Sequence, residues 1–138
     1  LGRRLSVKKP GRRLPDTNVV IRYLVKDDIE LYKQAKTFFD KVKTGEESAL
    51  ILESVVAECV YVLTKIYKVP KEKTADSLKN LLRYRGIINE DRADLIKALT
   101  TFAERSMDIV DCILYVKAKD METSLFSFDE DLNKLASS

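Results

Sequence analysis

Short apolar segments alternate with longer segments of helical periodicity throughout residues 14–138. The apolar segments at 48–52, 86–88 and 123–128 have the length of strands. The segments between them place apolar residues three and four positions apart, as amphipathic helices do. We therefore predict an α/β fold, in which buried strands form a parallel sheet with helices on both faces.

Capping residues set the limits of the predicted helices. Residues 18–25 form an apolar run after a possible N-cap, and Asp27 or Asp28 is expected to cap a helix that ends near Lys43, before Gly45. In the segment that precedes Asp16, GRRLP, only Leu14 is apolar, so the first strand is expected to be short. The other helices are predicted at about 55–67, 70–84, 89–104, 108–119 and 130–135, with Ser54, Asn89 and Asp108 as caps and Pro70 in a first turn.

The absence of histidine excludes several kinds of chemistry. No Ser-His-Asp or Cys-His nucleophilic pair exists, and no histidine can bind zinc. Catalysis must therefore use carboxylates, other polar side chains or a metal ion bound by oxygen ligands.

The two cysteines, Cys59 and Cys112, lie far apart and form no C-x-x-C motif. We expect both to be small buried hydrophobic residues without a disulfide, which favours a reducing, cytoplasmic location. No apolar run reaches the length of a membrane span, so no membrane association is expected.

The basic residues are unevenly distributed. Residues 1–13 contain six of the 25 basic residues and none of the 22 acidic ones, so residues 14–138 have a net charge of −3 although the whole chain has +3. We predict that 1–13 is a flexible basic tail or a non-native remnant whose deletion leaves activity largely intact, and that 14–138 is the folded domain. The alternative is that the tail is an arm that grasps nucleic acid.

Two acidic residues lie within apolar sequence. Glu58 is part of VVAECVYVL and Asp111 is part of IVDCILYV. An ionised carboxylate in such surroundings costs several kcal/mol unless it has a partner, and neither run contains a basic residue. One solution is the convergence of several carboxylates on a divalent cation.

Two more acids fit that solution because they follow predicted strands. Asp16 follows the first strand and Asp129 follows 123–128, and sites in open parallel sheets form at the carboxyl ends of strands. An all-carboxylate set suits Mg²⁺ or Mn²⁺, which can activate water in phosphodiester cleavage.

Each acid also has a simpler interpretation. Glu58 or Asp111 could be salt-bridged, Asp16 could be a turn or cap residue, and Asp129 could begin a solvated helix in its charged segment. Asp108 is interpreted as an N-cap that could also assist the site. The order of the four acids on these elements favours the joint site.

At these residues the sequence resembles the PIN-domain nuclease family, and within it the VapC-type toxins of prokaryotic toxin–antitoxin pairs. The similar segments are DTNVVIRYL (16–24), VVAECVYVL (55–63), SMDIVDCIL (106–114) and LFSFDEDL (125–132). The resemblance implies a three-layer α/β/α sandwich around a parallel sheet of four to five strands, and Mg²⁺- or Mn²⁺-dependent endonucleolytic cleavage of RNA.

The resemblance also implies a site and partners. It assigns catalysis and metal binding to Asp16, Glu58, Asp111 and Asp129, with Thr17, Asn18 and Ser127 orienting carboxylates or waters. It implies an antitoxin partner and a homodimer. Basic residues should flank an acidic site that binds RNA; the candidates, each of which could equally be an ordinary solvated surface charge, are Arg22, Lys26, Lys65, Lys68, Arg83 and Arg85.

Other functions remain open at this point. The chain could be an RNA-processing nuclease outside a toxin–antitoxin pair, or a non-catalytic PIN-like module that binds RNA or protein. A phosphatase that uses Asp16 as its nucleophile is less favoured, because such enzymes use D-x-D and the third residue here is Asn18.

Overall fold

The computed structural model describes residues 12–137. This part contains two short strands, a set of α-helices and one π-helical segment. In chain order they are β1 (Arg12–Arg13), α1 (Thr17–Val25), α2 (Ile29–Thr44), β2 (Ser48–Ala49), α3 (Glu53–Tyr61), the π-helical segment (Val62–Ile66), α4 (Lys71–Leu82), α5 (Arg92–Glu104), α6 (Ile109–Asp120) and α7 (Glu130–Ala136).

The strands form a small parallel sheet. Arg12 pairs with Ser48 and Arg13 pairs with Ala49. Ala49 also forms a parallel bridge to Ile87, with its N–H 2.9 Å from the carbonyl of Gly86. The parallel direction agrees with the prediction, and it requires the helical crossovers that the sequence pattern predicted.

A buried asparagine side chain adds two hydrogen bonds to the backbone that follows β2. The Asn89 side chain accepts a hydrogen bond from the Ile51 N–H at 2.9 Å and donates one to the Ile51 carbonyl at 2.7 Å. The amide therefore reproduces the pairing that a strand backbone would give at this position. Because its side chain is used in this way, Asn89 does not cap α5, which begins after Asp91.

The helices pack around one apolar core. Among the side chains with the least exposure are Phe39, Leu78, Leu82, Leu95 and Leu99. Two ion pairs supplement this packing: the Lys117 ammonium of α6 lies 2.7 Å from the Glu53 carboxylate of α3 and 3.0 Å from that of Asp91 beside α5. These contacts hold α6, which carries Asp111, against two neighbouring helices.

Several predicted helix limits are confirmed. Asp28 caps α2 by accepting from the Leu31 N–H at 3.1 Å, and Gly45 ends α2 with a φ of +87°. Asp108 directly precedes α6, as predicted, but its side chain makes no capping hydrogen bond. Pro70 lies one residue before the first turn in which it was predicted. Ser54 is not a cap, because α3 already begins at Glu53.

The predicted sheet of four to five strands is larger than the sheet in the described residues. Residues 48–52 pair only at Ser48 and Ala49, and 86–88 contribute only the bridge at Ile87. The strand prediction for 123–128 is wrong: this segment has no regular secondary structure and no partner strand within 12–137. Its residues Phe126 and Phe128 are 87% and 93% exposed, so the segment does not cover the core as a sheet strand would.

The predicted boundary between tail and domain falls directly after β1, so the whole of this strand lies in the predicted tail. Arg12 and Arg13 belong to a paired strand, whereas residues 1–11 of the predicted tail lie outside the described residues. Both cysteines are free and buried, as expected. None of the helices in the described part has the length and hydropathy of a membrane span.

Candidate active site

Asp16 lies at the start of α1, three residues after β1. Its Oδ1 accepts a hydrogen bond from the Val19 N–H at 3.0 Å, so the carboxylate is the N-cap of this helix. Asp16 is exposed. The sequence allowed either a cap or a site residue, and capping leaves the Oδ2 oxygen without a hydrogen bond to any described residue.

Glu58 lies across a groove from Asp16. The Thr17 hydroxyl donates a hydrogen bond to Glu58 Oε1, which joins α1 to α3. The groove has a volume of about 580 Å³. We call it the Glu58 groove; its lining includes Asp16, Thr17, Asn18, Val55, Glu58, Val62, Ile66 and Tyr67.

The apolar neighbours predicted for Glu58 line this groove and do not cover the carboxylate. Val55 and Val62 form part of the wall, but Glu58 itself is exposed. The charge is therefore solvated, and the expected cost of burying it does not arise. The neighbouring thiol is buried: burial, followed by the charges of Glu58 and Asp16, raises the pKa of Cys59 to about 12.

Asp111 lies in the first turn of α6 and is half-buried. Burial is the main cause that raises the pKa of Asp111, and the charges of Asp129 and Asp108 raise it further. The side chain makes no hydrogen bond or ion pair with any residue in 12–137. Asp111 therefore belongs to a second acidic group, formed with Asp108 and Asp129.

Asp129 is held at the start of α7. Its Oδ1 accepts from the Leu132 N–H at 2.9 Å, and its own N–H donates to the Ser127 hydroxyl at 3.0 Å. Asp129 thus begins a helix in its charged segment, as the simpler interpretation of the sequence allowed. Ser127 contacts the backbone of Asp129 and makes no bond to its carboxylate.

The structure brings the predicted acids together in two groups. Asp16 and Glu58 share the Glu58 groove, and Asp111 lies within range of the charges of Asp129 and Asp108. Helix α3 contacts both α1 and α6, so it connects the helix that Asp16 caps with the helix that carries Asp111. Within residues 12–137 no three acids or cysteines are close enough to form a metal site together.

The donor chemistry fits a hard cation although the acids form pairs. Mg²⁺ in proteins commonly uses one or two carboxylates, keeps several waters and takes further ligands from substrate phosphates. Asp111 has no cationic neighbour among the described residues that neutralises it, so a cation would supply the missing charge. All the available donors are oxygens, as Mg²⁺ and Mn²⁺ prefer.

The sequence did not indicate a network that borders the groove. Asp27 accepts hydrogen bonds from Arg22 Nη1 at 2.8 Å and from the Tyr67 hydroxyl at 2.8 Å. The hydroxyl, and next the guanidinium, lower the pKa of Asp27. Asp27 was considered only as a possible cap, and nothing local connects it with Tyr67, which lies 40 residues further along the chain.

The predicted basic residues differ in position. Arg22 is half-buried in this network, and Lys65 lies in the π-helical segment whose residues Val62 and Ile66 line the Glu58 groove. Arg85, by contrast, lies against Gly45 at the end of α2.

Comparison with known proteins assigns the chain to a protein family. Residues 13–137 match the family model of the PIN domain, and the chain belongs to this family. It is similar to the VapC ribonuclease of Aquifex aeolicus (strain VF5), with 27% identity over 124 residues, which cover 89% of this chain and 91% of that protein. No solved structure matches the chain.

Proposed function

We propose that the protein is a divalent-metal-dependent endoribonuclease that uses Asp16, Glu58, Asp111 and Asp129. The observation that carries this proposal is Asp111, a half-buried carboxylate that faces the charges of two other acids and has no cationic partner within 12–137. Such a carboxylate is costly unless a cation compensates its charge. Membership of the PIN domain family and the VapC ribonuclease relative support phosphodiester cleavage as the purpose of that cation.

Anchored carboxylates support the assignment of ligands. Asp16, Glu58 and Asp129 each have one oxygen fixed by a hydrogen bond, from Val19 N–H, Thr17 hydroxyl and Leu132 N–H respectively. The other oxygen of each has no partner among the described residues. Each side chain is therefore oriented while one oxygen is left for a ligand, which is the role that supporting hydrogen bonds play around metal sites.

The proposed division of work follows from these positions. Asp16 and Glu58 would hold Mg²⁺ or Mn²⁺ at the groove, and Asp111 and Asp129 would supply further carboxylate ligands. The bound cation would neutralise the scissile phosphate and lower the pKa of a water. Thr17, which donates a hydrogen bond to Glu58, would orient that carboxylate, and Asn18, which lines the groove, would orient a water or the phosphate.

We further propose that this ribonuclease is the toxin of a type II toxin–antitoxin pair, active in the cytoplasm as a homodimer and blocked by an antitoxin protein. The similarity to the VapC ribonuclease of Aquifex aeolicus over nearly the whole of both chains supports this role. A small reading frame for an antitoxin beside the gene, whose product restores growth when the two are expressed together, is the expected finding. Growth inhibition that this product does not relieve would favour an RNA-processing role.

The test of the nuclease is cleavage of RNA with Mg²⁺ or Mn²⁺, with and without EDTA. Asp111→Asn keeps the size of the side chain and removes its charge, and we expect a loss of about a hundredfold or more in kcat/KM. The matched control is Asp76→Asn, an equal change at an exposed position on α4, which should leave cleavage unchanged. Cleavage that persists in EDTA or in Asp111→Asn would overturn the metal-site proposal.

A further inference from the structure

A second cavity lies on the other side of Asp16 from the Glu58 groove. It has a volume of about 400 Å³, within the range of small-ligand pockets. We call it the Arg13 pocket; its lining includes Arg13, Asp16, Asn18, Arg22, Gln34 and Phe38. Asp16 and Asn18 line both cavities, so a ligand in the Arg13 pocket would be continuous with one in the groove.

The two cavities differ in charge. The groove contains the carboxylates of Asp16 and Glu58, whereas the pocket adds the guanidinium groups of Arg13 and Arg22. Arg22 is fixed by its bond to Asp27, and its buried Nε has no partner in the described residues. Fixed guanidinium groups are good phosphate ligands, and they would offset the repulsion between an acidic site and a polyanion.

The pocket also offers a flat surface. The Arg13 guanidinium carbon lies 5.4 Å from the centre of the Phe38 ring, and that ring packs edge-on against Phe39. Bases of single-stranded RNA stack on aromatic rings and on arginine planes. Gln34, exposed at the same pocket, has an amide without hydrogen bonds to described residues, which leaves it free to pair with the edge of a base.

From these observations we infer that the Arg13 pocket binds the nucleotide of single-stranded RNA next to the scissile phosphate, and that Gln34 contributes to base preference. The base would lie against Arg13 and Phe38, and Arg22 would contact the adjoining phosphate. The inference rests on the proposed function, because it places the scissile phosphate at the Asp16 carboxylate. An acidic peptide would use the two arginines but would gain nothing from the aromatic ring.

Adjacent arginines provide a matched pair of variants for the test. Arg12 and Arg13 are both exposed residues of β1, but only Arg13 lines the pocket. Binding of a fluorescein-labelled single-stranded RNA is measured by anisotropy with Mg²⁺, in the Asp111→Asn background so that the RNA stays intact. We expect Arg13→Ala to weaken binding by about tenfold, the scale of one lost base stack, and Arg12→Ala to weaken it by about twofold or less.

Two further variants distinguish RNA binding in the pocket from nonspecific electrostatic attraction and from a loss of folded structure. Phe38→Leu keeps an apolar side chain but removes the ring, and we expect weaker RNA binding without loss of the far-ultraviolet circular dichroism spectrum. Gln34→Ala, in the active protein, is expected to change the base found beside the cut when a random RNA pool is digested and sequenced. Equal binding by Arg12→Ala and Arg13→Ala, or unchanged binding by Phe38→Leu, would overturn the inference; in the latter case the pocket would suit an acidic partner better.

Failure of the nuclease proposal would give a different result. If the wild-type protein cuts no RNA with either cation while Arg13→Ala still binds RNA more weakly than Arg12→Ala, RNA binding by the pocket is supported and the catalytic proposal is wrong. If RNA is cut in a metal-dependent way but the two arginine variants bind RNA equally, the catalytic proposal is supported and the inference about the pocket is wrong.

Discussion

The surroundings of Asp111 disfavour the charged form of its carboxyl group. Burial raises its pKa, the charges of Asp129 and Asp108 raise it further, and no basic side chain in 12–137 compensates. We predict that in EDTA the Asp111→Asn variant has a higher melting temperature than the wild type, because the amide removes this repulsion. Added Mg²⁺ should raise the melting temperature of the wild type more than that of the variant, since a ligand stabilises the state it binds.

Differential scanning fluorimetry with and without Mg²⁺ makes both measurements. Asp76→Asn on α4 serves as the control and should show neither effect. A lower melting temperature for Asp111→Asn in EDTA would mean that Asp111 has a stabilising partner, contrary to the structure.

Asp27 shows the opposite behaviour, because its neighbours favour its charge. The Tyr67 hydroxyl and the Arg22 guanidinium lower its pKa in the folded protein. A carboxyl group with a lowered folded pKa stabilises the protein above its unfolded pKa, and this contribution is lost as pH falls through the folded value. We predict that Asp27→Asn is less stable than the wild type at neutral pH and equally stable once the pH lies below the lowered pKa.

Urea denaturation over a series of pH values measures this difference. Tyr67→Phe removes one of the two hydrogen bonds to Asp27 and should give a smaller pH-dependent difference. A gap between wild type and Asp27→Asn that stays constant down to the lowest pH would contradict the assignment.

Individual residues were predictable from the sequence where their partners are local. Asp28 and Gly45 act within one helical turn; Gly45 was assigned correctly, and Asp28 was one of the two caps that the sequence left open. Asp16 and Asp129 were expected either to cap a helix or to serve a site, and both cap helices. The partnership of Asp27 with Tyr67 was not predictable, because only tertiary packing brings the two side chains together.

At the scale of elements, the absence of a side chain at Gly86 allows the backbone next to the Ile87 bridge to lie close to the end of α2. A Cβ at Gly86 would lie 2.1 Å from the Glu47 carbonyl oxygen and 2.7 Å from that of Val42. Because these are backbone atoms, we predict that Gly86→Ala lowers the free energy of unfolding by about 3 kcal/mol.

Gly45→Ala is the comparison for this prediction. Gly45 has a positive φ, but its nearest neighbour is the flexible side chain of Arg85 at 3.2 Å, so we expect a loss of only about 1 kcal/mol. Urea denaturation of both variants tests the difference. Equal losses would show that the backbone around Gly86 moves aside easily.

The helices were more predictable than the strands for a physical reason. Helical spacing and caps are local, and every helix predicted from 27 onwards is present with ends shifted by a few residues. A strand needs a partner from elsewhere in the chain. Residues 123–128 have the strand-like sequence TSLFSF, yet they lack a partner within the described region, and both phenylalanines are exposed.

For the whole molecule, the start of the domain is defined by pairing and not by composition. The basic composition placed Arg12 and Arg13 in a tail, but the two residues pair with β2, and the Leu50 N–H donates to the Arg13 carbonyl at 3.0 Å. We predict that deletion of residues 1–11 leaves stability and RNA cleavage largely intact, whereas deletion of 1–13 lowers both.

Thermal unfolding and a cleavage assay on the two truncated proteins test this prediction. Loss of cleavage in the shorter deletion, with its melting temperature unchanged, would show that the basic residues before β1 bind RNA. Equal behaviour of the two deletions would show that β1 contributes little to the fold.

The family could be recognised because its acidic motifs keep their order along nearly the entire chain. The match over residues 13–137 confirms that recognition. The arrangement of the acids in space was not predictable in the same way. It depends on the packing of α3 against α1 and α6, and within the described residues no three acids or cysteines lie close enough to form a metal site.

The exposed phenylalanines beside Asp129 make the protein well suited to optical measurement. The chain contains no tryptophan, so an indole introduced by Phe128→Trp would be the sole fluorophore of its kind. Position 128 is 93% exposed, and its ring centre lies 5.5 Å from that of Phe126, which is itself exposed, so among the described residues the change would disturb no buried contact. Paramagnetic Mn²⁺ quenches nearby emission whereas diamagnetic Mg²⁺ does not, and this contrast would make residue 128 a local reporter of cation occupancy.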